Sequence, residues 1–170
     1  YAMIDALFGE VNPSGRLPIS YPRSIGHIPA YYNYKPSSRL GYNLGGDVTP
    51  LHPFGFGLSY TTFAYSNLRI DKTEMSRNDQ LLVSIDVENT GKRDGVEVVK
   101  HYITDDYASM TRPVKELKGF GRVPLKVGEK QTVSFTVTAE SLAFYDEQFR
   151  WQCEPGTFTI AVGPSALASK

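Results

Sequence analysis

Apolar side chains recur at every second position through the C-terminal part of this chain, and that period constrains the fold more than any other feature. Leu81, Val83, Ile85 and Val87 alternate with Leu82, Ser84, Asp86 and Glu88. Val133, Phe135 and Val137 alternate with Thr132, Ser134, Thr136 and Thr138, and Phe158, Ile160 and Val162 form a third set. Successive side chains on a strand point to opposite faces, so alternation gives each strand one apolar face. Residues 96–103 are apolar on both faces, as expected of a central strand. Turn signals separate these runs at Asn89-Thr90-Gly91, Lys126-Val127-Gly128-Glu129 and Glu154-Pro155-Gly156. Short strands at this spacing predict a two-sheet β-sandwich over residues 61–165, with residues 166–170 as a tail. Residues 139–145 read as a short helical turn joining the sheets. No internal repeat is visible.

Residues 1–60 follow other rules. Ala2-Met3-Ile4-Asp5-Ala6-Leu7-Phe8 reads as the last turns of a helix, with Gly9 as its stop. A turn at Asn12-Pro13-Ser14-Gly15 and a short strand at Arg16-Leu17-Pro18-Ile19-Ser20-Tyr21 follow. Helix then strand suggests the edge of an α/β layer over residues 1–22. The helix has no N-cap and nothing before it to pack on, so the expectation is a chain that starts inside a domain of a longer protein. Residues 23–60 hold no period. Pro22, Pro29, Pro36, Pro50 and Pro53 punctuate them, with Tyr31, Tyr32, Tyr34 and Tyr42 between. So many rings predict an ordered linker held by aromatic packing. It ends in Pro53-Phe54-Gly55-Phe56-Gly57-Leu58-Ser59-Tyr60, running into Thr61-Thr62-Phe63. Glycine beside buried rings allows positive φ or close backbone approach, the requirement of a device that fastens a strand-rich module to a neighbour.

Composition excludes several classes of function. Lysine plus arginine equals aspartate plus glutamate at 18 each, and no basic block could neutralise a phosphate backbone. Nucleic acid is therefore not an expected partner. No apolar run is long enough to span a bilayer, so no membrane partner is expected. Cys153 is the only cysteine, which rules out an internal disulfide and a cysteine zinc site. It reads as a small buried residue in a strand. One cysteine leaves the compartment open among periplasmic, secreted and cytoplasmic.

The motifs resemble a known family. Gly9-Glu10-Val11-Asn12-Pro13-Ser14-Gly15-Arg16-Leu17-Pro18 is similar to the end of the second catalytic-region domain of glycoside hydrolase family 3 enzymes. Residues 53–63 resemble the PFGxGLSYTxF signature that follows it. Asn89-Thr90-Gly91, Gly95-Val96-Glu97-Val98-Val99, residues 112–120, Leu125-Lys126-Val127-Gly128-Glu129, Glu154-Pro155-Gly156-Thr157-Phe158 and Val162-Gly163 are similar to that family's fibronectin type III-like domain. The resemblance implies a mainly β fold. A fibronectin type III-like (immunoglobulin-like) β-sandwich would follow the truncated edge of an α/β domain and a long aromatic linker. It implies a parent enzyme, a retaining β-glucosidase or β-xylosidase, with its remaining catalytic domains and a β-linked oligosaccharide or glycoside as partners. Retaining chemistry needs two close carboxyl groups. In the family the nucleophile aspartate sits in a barrel and the usual acid/base glutamate in the α/β domain, before the point where this chain begins. Neither motif is present here, so no catalytic residue carries over, and no cofactor is implied.

The carboxylates of this chain offer no substitute. Asp105 with Asp106, and Asp146 with Glu147, are sequence neighbours, which strands point to opposite faces. They read as solvated or capping groups. His27, His52 and His101 lack ligand spacing, so no metal site is expected. Tyr31, Tyr32, Asn33, Lys35 and Arg39 combine rings with amide and cationic donors, the mixture that sugars bind. In the family a similar loop lies here and reaches an active-site rim in some relatives, within a subunit or across a homodimer. The competing reading, which the sequence favours, is that the tyrosines seal the α/β layer to the β-domain. Trp151, with Phe149, reads first as an inward anchor of a sandwich sheet and second as a sugar-stacking platform. A chain of this kind is the accessory C-terminal part of a β-glycosidase or, alternatively, a stand-alone carbohydrate- or protein-binding module.

Overall fold

The computed structural model describes residues 1–36, 47 and 49–167. Helix α1 (Ala2–Leu7) opens the chain. Gly9 stops it at φ 83°. Among the described residues eight strands follow: β1 (Phe63–Ile70), β2 (Gln80–Asn89), β3 (Gly95–Asp105), β4 (Glu116–Leu125), β5 (Lys130–Thr138), β6 (Phe144–Tyr145), β7 (Trp151–Gln152) and β8 (Phe158–Gly163), with the one-turn helix α2 (Ala139–Leu142) between β5 and β6. One sheet has the order β1-β2-β5 and the other β4-β3-β8, and β6 pairs with β7 as a hairpin. All the pairings are antiparallel.

The predicted alternation sets the core. Leu81, Val83, Ile85 and Val87 of β2 meet Val99 and Ile103 of β3, Val123 and Leu125 of β4, Val137 and Val162. Strand β3 is buried on both faces, as expected, but Glu97, Lys100, His101, Tyr102 and Asp105 on it are charged or titratable. His101 faces the core and stacks on Phe135 across the sheets, centroids 5.2 Å apart. Lys100 and Tyr102, of opposite parity, are buried because Gly55 and Tyr32 cover the outer face. Helix α2 occurs where the short helical turn was expected. Thr138 caps it, exchanging hydrogen bonds with Ser141 in a reciprocal box.

Three expectations need correction. Residues 16–21 form no strand; only Tyr21 pairs, in an isolated bridge with His52. Pro18 and Pro22 supply no N–H, and the facing segment carries Pro53, so a ladder cannot propagate. Cys153 lies beyond the end of β7 and is only half-buried. Trp151 and Phe149 are not inward anchors. They sit on the β6–β7 hairpin, 46% and 86% exposed, because that hairpin lies outside both core sheets.

Candidate functional site

The glycine-aromatic run makes the joint between residues 1–60 and the sandwich. Leu17 donates its N–H to Phe56 (2.8 Å) and accepts from Gly55 N–H (2.8 Å). Gly55 sits at φ 86°, where an L side chain is strained. A Cβ there would also lie 2.8 Å from the Lys100 side chain. Gly57 has a different reason: a Cβ would stand 2.4 Å from the Gly15 carbonyl oxygen. The phenylalanines then find partners. Phe56 stacks on His52 at 4.6 Å and Phe54 on Tyr32 at 4.3 Å. Phe54 also accepts from Ala166 N–H (3.0 Å), tying the run to the end of the sandwich.

Charged groups close the joint from β3. Arg16 reaches Glu97 (2.7 Å), and both side chains are more than nine-tenths buried. The other Glu97 oxygen accepts from the Tyr65 hydroxyl (2.8 Å). Lys100 Nζ donates to the carbonyls of Pro164 (2.7 Å) and Val98 (3.1 Å), with Gly55 at 3.4 Å. Burial pushes Lys100 down to about 8; the Glu97 charge opposes this shift and the Arg16 charge adds to it. Asn12, read from sequence as a turn residue, is a further tie. It donates to the Asp94 carbonyl and accepts from the Ser59 hydroxyl and from Tyr60 N–H. Asn89, read as a turn signal, is wholly buried and fills every hydrogen-bonding position: it accepts from Thr61 and Gly91 and donates to Arg93 and Leu125. The sequence signal for both was only a turn-forming residue. Their long-range partners lie 28 to 82 positions away and leave no local pattern.

The linker candidates separate. Tyr32 belongs to the joint: it stacks on Phe54, meets Tyr102 edge-on at 6.1 Å and accepts from Leu117 N–H (3.2 Å). This is the sealing role. Tyr31, Asn33 and Lys35 are exposed. Arg39 lies outside the described residues. The carboxylate pairs do not converge. Asp146 caps the β6–β7 turn, accepting from Gln148 and Arg150 N–H and from the Arg150 side chain, which lowers its pKa. Asp105 is raised by burial, with Arg112 3.7 Å away. Asp106 accepts from Thr159 (3.1 Å). Among the described residues no group of three or more histidines, cysteines and carboxylates could hold a metal ion.

A concave feature lies apart from the joint. A cleft of about 630 Å³ opens between the start of β2, helix α2 and strand β7. Trp151 lines it beside Arg77, Asp79, Gln80, Glu140 and Gln152. The indole N–H donates to Glu140 (2.8 Å), and the Tyr145 ring supports the indole at 4.9 Å.

Residues 1–60 match the glycosyl hydrolase family 3 C-terminal domain, and residues 97–166 match the fibronectin type III-like domain. The chain is 45% identical to a periplasmic β-glucosidase of Salmonella typhimurium, aligning over 99% of this chain and 23% of that protein. It is 47% identical to a β-xylosidase of Formosa agariphila, over 98% of this chain and 24% of that one. Among solved structures, a β-glucosidase from Erythrobacter marinus superposes with a TM-score of 0.91 at 43% identity, covering 96% of this chain and 22% of that chain. A Listeria innocua β-glucosidase in complex with glucose gives 0.87 at 36%, covering 99% and 25%. The chain thus spans about a quarter of the length of the relatives it matches. On both family matches and on the fold, the chain belongs to the C-terminal region of glycoside hydrolase family 3.

Proposed function

We propose that this chain is the accessory C-terminal part of a β-glycosidase, a β-glucosidase first, that hydrolyses terminal β-linked sugars. The catalytic carboxylates belong to the parent's other domains, and the chain alone is inactive. The observation that carries this reading is the asymmetry of residues 1–60. Their inner side is locked onto the sandwich by the Arg16–Glu97 pair and the Gly55–Gly57 contacts. Their other side presents Met3, Leu7 and Phe8, at 82%, 78% and 81% exposure. Apolar rings and chains clustered on a short helix are a surface that a neighbouring domain covers. The sandwich then acts as a clamp, holding the last helix of the α/β domain in place. The relatives are named β-glucosidases and β-xylosidases, which supports the substrate class.

The test uses the full-length parent and this chain side by side. The parent should hydrolyse an aryl β-glucoside, and the isolated chain should not. Gly57→Ala in the parent should lower the temperature of heat inactivation. Hydrolysis by the isolated chain, abolished by one carboxylate substitution, would overturn the reading. So would a parent whose heat inactivation ignores Gly57→Ala.

A further inference from the structure

We propose that the Trp151 cleft is a carbohydrate-binding site, separate from the joint, that takes a β-linked chain of gluco- or xylo-configured pyranoses. Three observations converge on it. The first is the lining. Trp151 is half exposed, held edge-first by its N–H bond to Glu140 and supported by Tyr145. An indole fixed in this way offers a flat apolar surface without the entropy of a mobile ring. Arg77 and the Gln80 and Gln152 amides supply donors around it, and Asp79 and Glu140 supply acceptors. A pyranose with equatorial hydroxyls shows the complementary surface: axial C–H bonds make an apolar face, and hydroxyls ring its edge. A cleft that is open and mostly polar, with one aromatic platform, suits such a ring better than an apolar ligand.

The second observation is size. A volume of about 630 Å³ falls within the range of small-molecule sites and holds a few sugar rings. The third is position. The cleft lies at the Gln80 and Thr138 end of the β2–β5 pair. Residues 9–12 bind Arg93 and Asp94, just past the opposite end of β2 at Asn89. Ten strand residues separate the two ends by roughly 30 Å. The contacts of residues 9–12 therefore lie away from the cleft, so a polymer chain held there would be tethered to the protein without passing through the joint. The choice of β-linked sugars rests on the proposed function; the cleft itself does not.

Trp151 is the only tryptophan in the chain, so its fluorescence reports the cleft directly. Titration of the 170-residue chain with cellotetraose or xylotetraose should give a saturable change in emission. Maltotetraose, the α-linked control, should bind at least threefold more weakly. By calorimetry, Trp151→Ala should weaken binding at least tenfold. Arg77→Ala, in an exposed loop, should weaken it at least threefold with an unaltered near-ultraviolet spectrum, which keeps the test valid should Trp151→Ala unfold. No saturable change with either β-linked tetrasaccharide up to about 10 mM, the weak end of specific affinities, overturns the proposal. Unchanged affinity in Arg77→Ala also overturns it, as does equal affinity for maltotetraose. Aryl β-glucoside hydrolysis by the parent offers no sugar chain to this cleft, so it tests the proposed function alone.

Discussion

At Gly57 a single methyl group has nowhere to go, because the atom it would strike is the Gly15 backbone oxygen and not the end of a flexible side chain. Gly57→Ala should therefore force the two segments apart and destabilise the chain by about 1–3 kcal/mol, as overpacking does. A urea melt of the variant beside the unaltered chain measures this. The ion pair that closes the same joint calls for a different test. Arg16 and Glu97 are both buried, and removing one partner strands a charge. Arg16→Met should cost about 3–5 kcal/mol, whereas Arg16→Met with Glu97→Met should recover most of that loss. The double-mutant cycle reads the coupling. Recovery should be incomplete, because the Tyr65 hydroxyl also loses Glu97 as its acceptor.

The elements that carry the fold were legible where their signal was local. The period of β2 and β5 predicted both strands and their inward faces, since every second residue of a half-buried strand must be apolar. The glycines of residues 53–63 marked the joint for a similar reason, because positive φ and close approach are single-residue requirements. What failed was what depends on a partner. The predicted strand at residues 16–21 has the right residues and no ladder to join, and Trp151 has a core-forming side chain on a hairpin outside the core. Partial burial of Tyr32 is set by Phe54 and Tyr102, which are distant in sequence. Helix α1 shows the same dependence. None of its residues is buried, and Tyr60 donates to its Ala6 carbonyl; under the proposed function a neighbouring domain covers Met3, Leu7 and Phe8 and adds the rest of its stability. A six-residue helix is marginal by itself in water. Amides of residues 4–8 should exchange within seconds in the 170-residue chain and become protected in the full-length parent. Strong protection in the isolated chain would show that α1 needs no cover.

For the molecule as a whole, His101 and Lys100, which face opposite sides of β3, tie stability to pH. His101 lies in the core, its Nε2 without a hydrogen-bond partner among the described residues. Burial pushes it down to about 4 from 6.5. Below its ordinary value the unfolded chain takes up a proton that the folded chain refuses, so folding loses stability as pH falls from about 6.5 to 4. A shift of this size corresponds to roughly 3 kcal/mol. Lys100 acts in the same sense at the other end of the scale. The folded chain releases its proton near pH 8 and the unfolded chain only near 10.5, so stability rises with pH across that window. Asp105, raised by burial, works against His101 just above the ordinary aspartate value. The hydrogen-bonded Asp86 and Asp146, both lowered, add a loss as pH falls below that value. Substitution separates these effects better than the raw profile. Urea midpoints measured from pH 4 to 10.5 should climb in both windows for the unaltered chain. Lys115, lowered by burial, adds to the alkaline rise; Cys153, Tyr65 and Tyr102, raised by burial, oppose it above the ordinary thiol and phenol values. His101→Phe should flatten only the acid window, keeping the stack on Phe135, and Lys100→Met only the alkaline one. An acid window that stays steep in His101→Phe would assign that loss to the carboxylates instead. A flattened alkaline limb in Lys100→Met would assign the alkaline rise to the cost of burying that one ammonium.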